Sequence, residues 1–441
     1  MDSRFDPVPP GAPPAGDHQL SGAGAGKVGE QRAPVWSKRI MTVDGNKRRL
    51  VVDNGSHYCR AGFSDKDGPS SCERALVLRP RRREDGQVFS LVGEVPAELL
   101  VGTDAARAPL KSPFEHNIVI NFDCQETILD FVFSRLPGLG EGNEAGALEQ
   151  EVVLTECVLN PRASRRTMAE LMFETYGCPG LHVGPDCTFA YAHNRVLDPE
   201  RVRSDGIVVG LGHSASTVVP IVSGAPDLDR ALRMNLSGMG LTTQLQRCLE
   251  VKHGKSLNRK DHPLSAFNLC ERVKAACCFV ARDYREALRG LGRMPLCECP
   301  EAEDLLPGWD VSAAVERVQI PEIYFQPSIA GVDQLSVTDT VEACCSAGGA
   351  PGWDSDLLRS ILLTGGSSRF QGMPQRLQRE LRERCRVGTQ INVLGSADAT
   401  LDAWRGAADY SRGLVENAGR FAHFVDRATW EEVGENCYSE G

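Results

Sequence analysis

The sequence predicts an α/β protein, because the same local unit occurs three times along the chain. Each unit is a short, largely apolar run that ends in glycine: Leu50–Gly55, Ile207–Gly212 and Ser360–Gly366. Strands that are apolar on both faces are typical of the interior of a sheet covered by helices. Segments with the helical spacing of apolar residues lie between these runs. We therefore expect buried strands that alternate with helices.

The first run leads into a small polar turn. Such a turn exposes backbone N–H groups at the carboxyl edge of a sheet, where phosphates bind. Asp53 is suited to hold a magnesium ion through water. Gly55 and Ser56 are placed to face phosphate oxygens, and Arg60 supplies positive charge. A tight β-hairpin turn at Asn54-Gly55 explains the same residues equally well.

The second run, Gly206–Ser214, reads as another strand and turn, but its turn carries no carboxylate. A protein that needs both loops to hold and cleave a nucleotide has lost half of that machinery, so the pattern predicts binding rather than catalysis. Gly212–Ser216 nearly matches the nucleophile elbow of hydrolases, but the next residues, Thr217–Val222, read as a strand rather than a helix. We therefore expect His213 and Ser214 to be turn residues.

Helices are predicted in three places. Asn160-Pro161 can cap and start a helix that carries Met168, Leu171 and Met172 on one face and ends at Gly177. Two further apolar stripes are Leu241, Leu245, Cys248 and Leu249, and then Leu377, Leu381 and Cys385 after Pro374. We interpret all three stripes as ordinary core packing.

Composition excludes several classes. The chain has 441 residues, 41% of them apolar, and a net charge of −10, which argues against bulk attraction to nucleic acid. The basic runs Lys47–Arg49 and Arg79–Arg83 read as solvated surface or turn charge, with DNA contact as the alternative. No apolar stretch predicts a membrane span, and no signal peptide is expected.

The 16 cysteines are expected to be reduced and mostly buried, which suits a cytosolic or nuclear protein. Cys277-Cys278 and Cys344-Cys345 lack metal-ligand spacing, and Cys297-x-Cys299 has no completing pair, so no cysteine zinc site is expected. The first 34 residues are rich in proline and glycine and predict a disordered tail. Softer stretches are expected at 138–146 and 288–309.

Val52–Phe63 closely resembles the first phosphate loop of the actin family. Further resemblances occur in the family's order over roughly residues 40–436, at Glu115–Asn121, Leu154–Pro161, Met172–Thr175, Val219–Ile221, Phe325–Ser328 and Thr364–Gly366. The resemblance implies the actin/Hsp70/sugar-kinase (ribonuclease H-like) fold, with two α/β lobes around a nucleotide cleft. The implied organisation is a Pro/Gly-rich tail at 1–38, a first lobe at 39–204, a second lobe at 205–360 and a C-terminal segment, 361–441, that returns to the first lobe.

Other segments resemble the actin-related protein 5 subclass more than actin itself. They are Asn121–Phe133, Phe173–Pro179, Gly184–Asp186, Tyr191–Asn194 and Leu401–Ala407. This resemblance implies a non-catalytic structural subunit of a nuclear, Ino-eighty-type, ATP-dependent chromatin remodelling complex. The implied partners are the remodeller motor and other complex subunits, with DNA or nucleosome contacted indirectly. The alternatives are a cytoplasmic actin-like ATPase or filament protein, and a metabolite kinase, for which Asp186 is the one candidate base.

The chain departs from the family's pattern at the residues that hydrolysis needs. Gly210–Ser214 replaces a loop with two carboxylates, Asp186 falls at the position of the water-orienting glutamine, and His57 and Arg60 replace a glycine and a lysine. Phosphoryl transfer depends on placement and charge neutralisation, so we expect no efficient turnover. His57 also adds bulk where a phosphate would approach a bare backbone.

The resemblance nevertheless implies a candidate site for ATP or ADP with magnesium. Its residues would be Asp53, also as metal ligand, with Gly55, Ser56, Arg60, Gly212, Gly238, Lys274, Gly365 and Gly366. The family's neighbouring glutamate is Ala275 here. Only 36 residues separate Tyr284 from Pro321, so the large insertion that the subclass carries there is absent. Partner binding must therefore use other surfaces, or the subclass assignment is wrong.

Overall fold

A computed structural model describes residues 45, 47–139, 147–257, 265–290, 315–346, 356–415 and 424–438. The predicted N-terminal tail, most of the stretches predicted to be soft, and Cys297-x-Cys299 lie outside these residues. Within the described residues, the chain is an α/β protein, as the sequence predicts.

The described strands, in chain order, are β1 (Leu50–Asn54), β2 (Tyr58–Phe63), β3 (Ser71–Arg74), β4 (Val77–Leu78), β5 (Leu91–Val92), β6 (Leu110–Lys111), β7 (Phe114–Glu115), β8 (Ile118–Val119), β9 (Val152–Glu156), β10 (Gly180–Pro185), β11 (Gly206–Leu211), β12 (Ser216–Val222), β13 (Ala225–Pro226), β14 (Leu232–Met234), β15 (Ile361–Thr364), β16 (Val393–Gly395) and β17 (Val425–Asp426). All three runs predicted to be strands are present. Each strand ends one or two residues before the end of its run, β11 begins one residue earlier than its run and β15 one residue later.

The described helices are α1 (Phe122–Ser134), α2 (Arg162–Glu170), α3 (Asp186–Leu197), α4 (Gly238–His253), α5 (Ser265–Cys277), α6 (Tyr284–Gly290), α7 (Glu316–Glu322), α8 (Val337–Ser346), α9 (Met373–Arg384), α10 (Asp402–Ser411) and α11 (Arg427–Val433). The three predicted helices correspond to α2, α4 and α9. Asn160 does not cap α2: Pro161 is the N-cap residue, and the Asn160 amide donates to Glu156 at 2.8 Å. A π-helical turn extends α2 to Thr175, and Gly177 lies two residues beyond with φ of +61°.

Two large sheets repeat one pattern. The first has the order β17-β10-β9-β1-β2-β3, and the second has the order β13-β12-β11-β15-β16, with β14 beside β12. In each sheet an antiparallel hairpin, β1–β2 or β11–β12, has a parallel neighbour on its other side, β9 or β15. The hairpin turns therefore lie at equivalent places in the two sheets.

Helices α3 and α10 pack closely against each other and against the first sheet. The Trp404 ring on α10 is fully buried, and its Nε1 donates to Val51 O on β1 at 3.3 Å. A Cβ at Gly406 would collide with Phe189 O on α3, so glycine is required where the two helices cross. This contact joins residues more than 200 positions apart in the chain.

The two basic runs predicted to be surface charge differ in their burial. Arg81–Arg83 are exposed, as expected of surface charge. The surface interpretation is wrong for Arg49, which is buried and donates to Glu151 at 2.9 Å.

The described cysteines are free thiols, mostly buried, as predicted. In the part of the chain that the structure describes, no helix combines the length and apolar character needed to span a bilayer.

Candidate functional site

The first candidate loop is the turn of the β1–β2 hairpin. A Cβ at Gly55 would lie 2.9 Å from Tyr58 O, so the turn has room only for glycine. Asp53 closes the end of β1 and is only 5% exposed. Its carboxylate accepts hydrogen bonds from Arg60 Nη1 at 3.0 Å and from Thr155 Oγ1 at 2.9 Å. The one carboxylate predicted to hold a metal is thus already neutralised by Arg60.

The second candidate loop is the turn of the β11–β12 hairpin, where His213 and Ser214 are turn residues, as predicted. Gly212 N–H donates to Ala215 O at 3.1 Å, which closes the turn. Gly212 O accepts from Gly238 N at 2.9 Å, and His213 O accepts from Met239 N at 2.8 Å. The first amides of α4, which could otherwise face an anion, are therefore used to hold this loop.

The residues predicted for the nucleoside side are also engaged with the protein. Lys274 on α5 is buried, and its Nζ donates to Gly238 O at 2.8 Å and to Thr242 Oγ1 at 2.7 Å. Burial also lowers the pKa of Lys274. Gly365 has φ of +85°, and a Cβ there would lie 2.6 Å from Leu211 O. Gly366 begins a 3₁₀ turn with open space beside it.

The two hairpin turns meet through a pair of histidines. The rings of His57 and His213 stack with centroids 4.3 Å apart and planes inclined by 16°. Glu271 on α5 lies beside both: one carboxylate oxygen is 3.4 Å from His57 Nε2, and the other is 3.9 Å from His213 Nδ1. We call His57, His213 and Glu271 the histidine–glutamate cluster.

Burial sets the charge of this cluster. Burial lowers the pKa of His57 below its ordinary value, although Glu271 opposes the shift. Burial, together with repulsion from His57, lowers the pKa of His213 to about 3. For Glu271, burial acts to raise the pKa, but His57, Arg74 and Lys274 outweigh it, and the pKa is lowered. At neutral pH the cluster therefore contains two neutral imidazoles and one carboxylate.

Arg74 extends the contact between the two sheets. This buried side chain on β3 places Nη1 3.4 Å from carboxylate oxygens of Glu271 and Glu94 and from Asn268 Oδ1. Asn268 and Glu271 lie on α5, which packs in the core of the second sheet. The cleft between the sheets is thus bridged by the chain's own side chains.

Asp186 lies at the start of α3, and its Oδ1 accepts from the Cys187 N–H at 2.7 Å. Burial, with added repulsion from Asp53 and Glu156, raises its pKa to about 7. Three carboxyl groups therefore face one region near the first loop, with Arg60 and Arg165 paired to two of them.

The phosphate side of the cleft does not fit a magnesium–phosphate pair. Magnesium prefers oxygen ligands and retains several waters. Here Asp53 is paired with Arg60, the second turn offers no carboxylate, and two stacked imidazoles lie between the turns. The structure brings the two turns together, but the space between them holds two histidine rings instead of a magnesium–phosphate site.

Sequence reasoning missed Glu271, Arg74 and Thr155. Glu271 sits on an amphipathic helix, where a charged residue is normally a surface residue, so its position alone carries little information. The signal that was available is the pair of histidines. His57 and His213 occupy the turns of two similar strand–turn units, and equivalent turns of paired units face each other across a cleft.

Similarity to known proteins agrees with this architecture. The family model named Actin matches residues 45–439. Actin-related protein 5 of Drosophila melanogaster is 32% identical over 55% of this chain and 38% of its own length. Actin-related protein 5 of Arabidopsis thaliana is 33% identical over 54% of this chain and 32% of its own length. The matches thus span about a third of those two relatives.

Actin-like protein 7B of Rattus norvegicus matches over a longer span, with 28% identity over 92% of this chain and 89% of its own length. The family model covers all of the described residues, including both hairpins and the helices that hold them. Members of the family generally bind a nucleotide with a divalent metal. The two repeated sheets, their facing turns and the extent of this match together show that the chain belongs to the actin family.

Proposed function

We propose that this chain is a non-catalytic, actin-related structural subunit of a nuclear ATP-dependent chromatin remodelling complex. The observation that carries the non-catalytic part is the stack of His57 and His213 between the two hairpin turns. Hydrolysis of a nucleoside triphosphate needs charge neutralisation and a positioned water at this place. The stack, with Asp53 paired to Arg60, supplies neither.

In this proposal the protein keeps the actin fold for its shape. The side-chain bridge through Arg74, Glu271 and the two histidines holds the sheets against each other. In a nucleotide-dependent protein, a bound ligand would provide that stabilisation by mass action. Here the chain's own residues take this role, so the partner meets a composite surface that does not depend on the nucleotide state.

The remodeller assignment is supported by the similarity to actin-related protein 5. The proposed partners are the motor and other subunits of the complex, which bring the chain to nucleosomes indirectly, and the proposed location is the nucleus. Affinity purification of the tagged full chain from nuclei, followed by mass spectrometry, tests this. Recovery of a remodeller motor is the expected result, and recovery of cytoskeletal regulators alone would contradict it.

The non-catalytic part has its own test. We expect the purified chain to release no phosphate from ATP above a control without protein, with magnesium present. Turnover that is lost in Asp53→Asn would show a working site and overturn this part of the proposal. The outcome is independent of which partners are recovered.

ATP or ADP with magnesium stays a prediction from the sequence. A nucleotide that binds only the folded chain would raise its melting temperature, and the stabilisation grows with the logarithm of the ligand concentration relative to Kd. If millimolar Mg-ATP and Mg-ADP leave the melting temperature unchanged, the chain works without nucleotide, as the proposed role requires.

A cytoplasmic actin-like protein is the second candidate. The end-to-end match with actin-like protein 7B favours it, because the match with actin-related protein 5 covers only about half of this chain. The sequence also lacks the insertion implied by the subclass, with 36 residues between Tyr284 and Pro321. Fractionation of tagged cells separates the candidates: cytoplasmic enrichment and sedimentable filaments would favour this one.

A further inference from the structure

The histidine–glutamate cluster gathers three metal-binding groups from distant parts of the chain. His57 comes from the β1–β2 turn, His213 from the β11–β12 turn and Glu271 from α5. One ligand atom from each lies within 4.8 Å of the other two. Among the residues that the structure describes, the buried His57 Nε2 atom makes no hydrogen bond of ordinary geometry, and the Glu271 carboxylate oxygen lies 3.4 Å from it. This is the most concentrated set of such groups in the described part of the chain.

The distances are close to those of a metal site. Zinc binds imidazole nitrogen at about 2.0–2.1 Å and carboxylate oxygen at about 2.0–2.2 Å, so adjacent ligands of a tetrahedral site are about 3.3 Å apart. The His57 Nε2 to Glu271 oxygen distance is already 3.4 Å, and the His213 Nδ1 to Glu271 oxygen distance is 3.9 Å. The two rings are stacked, so binding one ion requires side-chain rotations that open the stack and turn both nitrogens toward it.

The donor set selects the metal. Two imidazoles and one carboxylate suit zinc and its neighbours in the first transition row, whereas magnesium and calcium favour oxygen ligands only. We propose that His57, His213 and Glu271 form a binding site for a divalent transition metal ion, zinc foremost, which fastens the first sheet to the second. The site is distinct in chemistry from the family's oxygen-bound cation, and it does not depend on the role proposed above.

The surroundings of the cluster bear on the access of an ion and on the charges next to it. The side chains of His57, His213 and Glu271 are 25%, 14% and 21% exposed, so the edge of the cluster is in contact with solvent. A water would be the fourth ligand of a tetrahedral zinc site. Arg74 Nη1 lies 3.4 Å from the Glu271 carboxylate and competes with a metal for it. Glu94 lies at the same distance from Nη1, so Arg74 can keep an anionic partner when Glu271 turns to the ion.

The test uses the full chain, stripped with a chelator and titrated with zinc by calorimetry. Cobalt serves as a second probe, because four-coordinate cobalt with nitrogen ligands gives visible absorption bands. We expect one zinc per chain that His57→Asn and Glu271→Gln each remove, together with the cobalt bands. We also expect zinc to raise the melting temperature of the wild type and of neither variant.

Free cysteines elsewhere can bind zinc weakly, so the decisive quantity is the difference of one equivalent between wild type and variant. His116→Asn is the matched control: His116 is exposed, outside the cluster, and has φ of +47°, which asparagine tolerates. It should keep the full stoichiometry. Equal stoichiometry and equal thermal shifts in all four proteins would overturn the proposal. Circular dichroism of the metal-free proteins separates lost binding from lost folding.

Discussion

Arg376 and Glu322 form a buried ion pair in which the arginine binds both carboxylate oxygens. The two bonds are 3.0 and 2.7 Å long, and the Glu322 side chain is fully buried. Removing the cation leaves a buried carboxylate without its partner. We expect Arg376→Met to lower the free energy of unfolding by about 3–5 kcal/mol, measured by urea denaturation.

Arg379 on the same helix is the control for that prediction. It is partly exposed and lies 3.5 Å from Glu383 and 3.8 Å from Asp283. Exposed ion pairs contribute at most about 1 kcal/mol, so Arg379→Met should have a small effect. Equal losses of unfolding free energy in the two variants would mean that the buried ion pair contributes no more to stability than the exposed one.

Asp186 should make the free energy of unfolding depend on pH. Its pKa in the folded chain is about 7, raised from the ordinary value of 3.8 by burial. The folded state therefore holds a proton that the unfolded state releases between these two values, so stability from this group is present at low pH and lost as pH rises through 7. We expect Asp186→Asn to flatten the fall of unfolding free energy over that range.

Urea denaturation of wild type and Asp186→Asn at pH 5, 6, 7 and 8 is the measurement. Asparagine keeps an acceptor for the Cys187 N–H, so the helix start is preserved in the variant. The free energy of unfolding of the variant should rise relative to that of the wild type as pH rises. A difference that is constant across the series would show that Asp186 is ionised throughout.

At the scale of elements, the crossing of α3 and α10 depends on Gly406. A methyl group there would meet the Phe189 carbonyl, and α10 cannot move away without disturbing the contact of its Trp404 with β1. Overpacking of this kind costs about 1–3 kcal/mol, and more where the obstacle is backbone. We expect Gly406→Ala to cost about 3 kcal/mol in urea denaturation.

Gly290 at the end of α6 offers the comparison. Within the residues that the structure describes, no atom lies within 4 Å of a Cβ built at Gly290, and alanine favours helix over glycine by about 1 kcal/mol. Gly290→Ala should therefore be neutral or slightly stabilising. If Gly406→Ala were equally mild, the helices would have freedom that the packing does not indicate.

The predictability of the elements depends on the range of the interactions that determine them. The buried strands and the stripes of α4 and α9 arise from periodicity, which is local. The cap of α2 was wrong because the Asn160 amide donates to Glu156, four residues earlier at the end of β9, a contact that helix-capping patterns do not describe. Arg49 was misplaced because its partners are distant in the chain: it donates to Glu151 and to Ser411 O, which lie more than 100 positions away. The histidine–glutamate cluster also needs three segments at once, which no local pattern encodes.

At the scale of the whole molecule, the cleft should respond when the family's residues are restored. We expect the variant His57→Gly/His213→Asp to bind Mg-ATP more strongly than the wild type, because it removes the stack and returns an oxygen ligand to the second turn. Differential scanning fluorimetry with and without Mg-ATP measures this. The single variant His57→Gly is the control for loss of bulk alone.

A greater Mg-ATP shift in the wild type than in the double variant would contradict the view that the stack excludes phosphates. If neither protein responds, the missing carboxylate at Gly210 is the further obstacle. Its replacement by aspartate is restricted, since a Cβ there lies 3.0 Å from Thr217 Oγ1. For the wild type itself we expect Mg-ATP to leave the melting temperature unchanged.

The first sheet is completed by residues from the far end of the chain. β17 pairs with β10, Trp404 covers β1, and Tyr438 Oη donates to Leu181 O at 3.3 Å. During synthesis, β1 and β9 therefore leave the ribosome long before the residues that cover them. A premature stop codon near position 400 would remove α10, the helix that buries Val51 and Val153. Truncations this late in the reading frame should be as damaging to folding as early ones, although most of the polypeptide has by then been made.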